Sequence, residues 1–75
     1  MGFRFWRWEI VFGGSLQKSR FVTEKTLTDA IKAARKVQRA TGLYESTEVV
    51  RANKYDEDAG KWISVPAEAL RCTLG

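Results

Sequence analysis

Residues 26–42 run Thr26-Leu27-Thr28-Asp29-Ala30-Ile31-Lys32-Ala33-Ala34-Arg35-Lys36-Val37-Gln38-Arg39-Ala40-Thr41-Gly42. The pattern predicts one amphipathic α-helix, and the chain on either side of it reads as strand or turn. Thr26 suits the N-cap, where its hydroxyl accepts a bond from a first-turn amide. Asp29, three residues later, has the position of a capping-box partner and the charge that the positive helix end favours. Ala30, Ala33, Ala34 and Ala40 are strong helix formers, and Gly42 can take the left-handed conformation that stops a helix. On a helical wheel Leu27, Ala30, Ile31, Ala34 and Val37 share one face, with Gln38 at its border. Lys32, Arg35, Lys36 and Arg39 form a basic stripe on the other side. The apolar face is built from small side chains, which lets a helix lie close on a sheet.

Before the helix, residues 3–12 predict a strand. Trp6, Trp8, Ile10 and Phe12 share the side assigned to the helix; Phe3, Phe5 and Val11 share the other with Arg7 and Glu9. Gly13-Gly14-Ser15 signals a turn, and residues 16–23 return as a second strand. There Phe21 faces one side and Lys18, Arg20 and Val22 face the other. After the helix, Leu43 and Tyr44 are placed over its last turn. Residues 47–55 read as a third strand with two faces of nearly equal polarity, Val49, Arg51, Asn53 and Tyr55 against Glu48, Val50, Ala52 and Lys54. Residues 56–60 form an acidic turn. Residues 61–65 are a short fourth strand ended by Pro66, which has no amide for the ladder. Ala67 to Leu70 reads as one helical turn and Cys72 to Gly75 as a frayed tail.

The expectation is an α+β fold of order β-β-α-β-β. It consists of a four-stranded, mainly antiparallel sheet with one amphipathic helix packed on one face. The 75 residues make one domain, with an ordered core over about residues 3–66 and a C-terminal tail over 67–75. So small a domain has a thin core, and Trp6, Trp8, Phe12 and Phe21 are assigned to it. Phe3, Phe5 and Arg7 are assigned to the surface. The second sheet face has no helix to cover it and is left for a partner.

Composition narrows the chemistry. There is no His and a single Cys, so an internal disulfide is excluded and a zinc or haem site has no ligand set. Asp56-Glu57-Asp58 lacks the spaced ligands of a calcium loop. Cys72 has no neighbouring base to activate it, and the glycine-rich turn leads into a strand and not a phosphate-binding helix. The sequence therefore predicts a non-enzyme without metal or cofactor.

Charge is unevenly placed. Residues 1–42 carry nine basic and three acidic side chains, a balance of +6; residues 43–75 carry four basic and six acidic, a balance of −2. A basic first half favours an anionic partner surface. The candidate binding residues are Lys32, Arg35, Lys36 and Arg39 on the helix, and Arg4, Arg7, Lys18, Arg20, Phe3 and Phe5 on the hairpin. The leading expectation is a small interaction or regulatory module that binds a partner protein, or a second copy of itself, through the open sheet face and the basic stripe. The alternative is a DNA- or RNA-binding protein that contacts phosphates with the basic helix and hairpin. No secretion signal is read in residues 1–14 and no apolar run reaches membrane-spanning length, so a cytoplasmic location is expected.

Overall fold

The computed structural model describes residues 4–14, 17–41 and 46–75. The chain order is β1 (Trp6–Phe12), β2 (Lys18–Glu24), α1 (Leu27–Thr41), β3 (Val49–Asp56), β4 (Lys61–Ser64) and α2 (Ala67–Leu74). The four strands form one antiparallel sheet of order β2-β1-β3-β4. Because β1 is antiparallel to both β2 and β3, those two run parallel to each other with β1 between them. A tight turn cannot join parallel strands, so the connection must cross a sheet face. Helix α1 makes that crossing.

Thr26 caps α1 as expected, its Oγ1 accepting the Asp29 amide at 3.2 Å. Ala30, Ile31 and Ala34 are buried, and Gln38 is buried with them at 1 % exposure, while Val37 is turned outward at 42 %. The buried stripe thus follows the helical repeat through Gln38 and not through the apolar Val37. The reason is local: a polar side chain is tolerated there because partners meet it. Arg20 donates to Gln38 Oε1 at 2.8 Å, and Gln38 Nε2 donates to the Ser46 carbonyl at 3.0 Å.

The core joins Trp8, Ile10 and Phe12 of β1, the α1 residues Ala30, Ile31 and Ala34, Val49 and Ala52 of β3, and Leu70 of α2. Ile10 and Phe12 have no exposed surface, and the Trp8 indole N–H donates to the Glu24 carbonyl at 2.9 Å. Trp6, Val22, Leu27, Val65 and Leu74 pack around this cluster half-buried. Phe21 does not join it. It is 66 % exposed, because its register opposite Glu9 puts it on the sheet face that no described helix covers.

Strand β3 has a feature that alternation does not reveal. Val11 pairs with Arg51 but Phe12 pairs with Val49, so Val50 is an extra residue in the ladder. The bulge returns Val49 to the covered face, which it shares with Ala52. Val50 sits against Gly13, where an added Cβ would lie 3.0 Å from Val50 Cγ1. At the other end of β3 the acidic turn is closed by Asp56. Its Oδ1 accepts the Asp58 and Ala59 amides at 3.0 and 3.2 Å, and Gly60, at φ +66°, donates its amide to the Asp56 carbonyl at 2.7 Å.

The C-terminal segment corrects the expectation of a tail. Ala67–Leu74 is a helix of eight residues that starts after Pro66. Leu70 is buried at 7 % exposure and Leu74 packs beside it, so α2 shares the covered face with α1. The sheet has two helices on one side and none on the other among the described residues. Leu70→Ala is expected to cost about 2 kcal/mol by leaving a hole under α2. Chemical denaturation measures this, and an unchanged midpoint would return residues 67–74 to the status of a tail.

Candidate functional site

Cross-strand register fixes what the open face presents. Directly paired residues point to the same side of a sheet. Arg7, Glu9 and Val11 of β1 therefore share a face with Ser19, Phe21 and Thr23 of β2, with Arg51, Asn53 and Tyr55 of β3, and with Trp62 and Ser64 of β4. Phe21 and Trp62 come from the two edge strands, yet their ring centroids are 5.7 Å apart. Both side chains lie down across the intervening strands. Trp62 also meets Tyr55 edge-on at 5.1 Å, and the Arg7 guanidinium stands 5.7 Å from the Tyr55 ring. Asn53 donates to Glu9 Oε1 at 2.8 Å, which holds that carboxylate down among the strands.

The rings touch one another but stay wet, with Phe21 at 66 % and Trp62 at 40 % exposure. Covering these two would remove on the order of 200 Å² of apolar surface from water, or about 5 kcal/mol. Arg7 and Arg51 are exposed beside them.

The ten residues named from the sequence do not form one surface. Lys32, Lys36 and Arg39 are exposed on the side of α1 that points away from the sheet, opposite the open face. Arg35 is half-buried and donates Nε to the Thr47 carbonyl at 3.2 Å, which ties α1 to the start of β3. Arg20 lies on the covered side of β2. Its Nε and Nη2 reach Gln38 Oε1 and Thr41 Oγ1, both at 2.8 Å, so it clamps the edge strand to the end of α1. Lys18 is exposed and belongs to the same side of β2. Arg4 pairs with Glu57 at 3.1 Å and stands 4.6 Å from the Trp6 ring. Phe5 is 55 % exposed, with the Lys25 ammonium 5.1 Å from its ring. Of the nine that are described, Arg7 alone is placed by register on the open face. Phe3, Leu43, Tyr44 and the Gly42 helix stop lie outside the described residues.

Tyr55, Trp62 and Arg51 were missed as surface residues. Trp62 carries a sequence signal, since a bulky ring on a four-residue strand at a sheet edge has little core to enter. Among the described residues, no group of three or more Cys, Asp or Glu is placed to hold a metal ion. Among the same residues no helix is long and apolar enough to cross a membrane. In comparison with known proteins, the chain matches no family model, no curated sequence and no solved structure.

Gln38 is buried and bonded to Arg20 and the Ser46 carbonyl, whereas Lys36 is exposed to solvent. Gln38→Ala is expected to destabilise the fold by about 1–3 kcal/mol, because it strands the Ser46 carbonyl and loosens Arg20. Lys36→Ala is expected to change stability by less than about 0.5 kcal/mol. Thermal unfolding of the two variants checks the contrast.

Proposed function

We propose that this chain is a non-catalytic interaction module that docks another polypeptide, a second copy included, on its open sheet face. The observation that carries the reading is the ring contact between Phe21 and Trp62, which leaves both side chains exposed on a face that no described helix covers. Exposed aromatics with flanking arginines have the composition of binding hot spots. Tyr55 braces the cluster, while Arg7 and Arg51 supply charged contacts at its margin.

Magnitudes set the strength. Association costs about 4–15 kcal/mol in lost freedom, as much as or more than the two rings recover by burial. The remaining face must add contacts, and the expected affinity is micromolar, typical of a transient partner.

The second reading draws on the exposure of Lys32, Lys36 and Arg39 along the outer side of α1. A basic helix face suits phosphate contact without sequence choice. The open face and this stripe point in opposite directions, so one flat partner does not engage both. The polypeptide reading takes precedence because the rings are apolar surface that water disfavours, whereas solvated lysines need no partner.

The test pairs light scattering across protein concentration with titration of labelled duplex and single-stranded DNA and RNA at low and physiological salt. The expected result is a mass that rises above the monomer with concentration. The double variant Phe21→Ser with Trp62→Ser should return it to the monomer. A monomer at every concentration, with salt-sensitive nucleic-acid binding lost when Lys32, Lys36 and Arg39 become Glu, would overturn the polypeptide reading in favour of the helix.

A further inference from the structure

The covered face is not covered to its end. Helix α1 packs chiefly over the β2–β1 half, while Leu70 and Leu74 of α2 border a smaller groove with Val49. Between them a cleft of about 430 Å³ opens beside the β3–β4 turn. That volume is within the range of small-molecule sites, about 300–1,000 Å³. Trp6, Trp8, Leu27 and Ile63 give it apolar walls, and Lys54, Asp56 and Asp58 bring charge to it.

The charges are not spent on each other. The Lys54 ammonium lies 3.7 Å from the Trp6 ring centroid and 5.6 Å from that of Trp8. Among the described residues it makes no hydrogen bond or ion pair, so its N–H donors have no acceptor there. Asp56 is partly committed, because its Oδ1 accepts two turn amides. The Asp58 side chain accepts no bond among the described residues. Arg4, on the Trp6 ring, is already paired with Glu57. One cation, Lys54, and two anions, the turn-bound Asp56 and the uncommitted Asp58, thus line the same apolar cleft without forming an ion pair among the described residues.

We propose that this cleft binds a small zwitterion with an apolar body, the chemistry of a free α-amino acid with a large apolar side chain. The ligand carboxylate accepts from the Lys54 ammonium. Its ammonium group pairs with the Asp58 carboxylate. Its side chain lies against Trp6, Trp8 and Ile63. A ligand with only one charge leaves either Lys54 or Asp58 unanswered, so both charges are required for full affinity. The site is on the opposite side of the sheet from the open face and does not depend on that face's role.

The test is a titration of the full chain with L-phenylalanine, read through the indole N–H signals of the ¹⁵N-labelled protein. Phenylacetate and 2-phenylethylamine serve as one-charge analogues. The expected result is a saturable shift of the Trp6 and Trp8 signals with L-phenylalanine and at least a tenfold weaker response to each analogue. Lys54→Met, which keeps the side-chain stem on Trp6, and Asp58→Asn, in an exposed turn, should each weaken L-phenylalanine binding about tenfold. The absence of a saturable shift would overturn the proposal, as would analogues binding as well as the amino acid. If Lys54→Met fails to fold, Asp58→Asn alone decides, and unchanged affinity in that variant overturns the proposal.

Discussion

Burial of Ile10 and Phe12 beneath Ala30, Ile31 and Ala34 is the contact on which the rest of this structure depends. β1 is the inner strand that pairs with both β2 and β3, so fixing its covered face fixes the sheet. The helix side of the contact is small. Alanines at two of three positions bring α1 close, and the core stays one layer of large side chains thick. A helix that close spans little width. The end of the sheet beside the β3–β4 turn is left as a cleft, and α2 is needed to close the end near Val49.

The same geometry assigns the polar residues their work. Gln38 is nearly fully buried, and it serves because Arg20 and the Ser46 carbonyl satisfy it from two different segments. Arg20 and Arg35, which belong to the basic half of the chain, are consumed in holding α1 to the sheet. What remains of the positive charge on α1 is a row of three side chains on its outer side. The aromatics divide likewise. Trp8 and Phe12 belong to the core, Trp6 lines the cleft, and Phe21, Tyr55 and Trp62 meet on the open face.

The helix, its cap and the succession of elements along the chain were legible because each rests on local periodicity or a turn signal. Thr26, the alternation of Trp6 to Phe12 and the stop at Pro66 are of this kind. The order β2-β1-β3-β4 within the sheet is not, because it depends on pairing between distant segments. The fate of Phe21 was not legible, because aromatic residues read as core until register shows which side of the sheet they occupy. Val49 was ambiguous for a related reason: a bulge at Val50 breaks the alternation that a face assignment assumes. Residues 67–74 looked like a tail because two leucines four apart make a weak helical signal, and only the uncovered end of the sheet gives them something to pack against. The candidate site suffered most. The basic residues named on the helix and the hairpin could be listed from the sequence but not placed, and the fold sends them to different sides.

The account stands on the claim that this chain leaves the Phe21–Tyr55–Trp62 face open to solvent while burying the opposite one. The most direct measurement is broadening of the three tryptophan indole N–H signals by a soluble paramagnetic agent, at a concentration where light scattering reports a monomer. The account predicts strong broadening of Trp62 and the least broadening of Trp8, which is 6 % exposed with its N–H bonded to the Glu24 carbonyl. A Trp62 signal as protected as that of Trp8 in the monomer would contradict it, because the open face would then be covered by the chain itself.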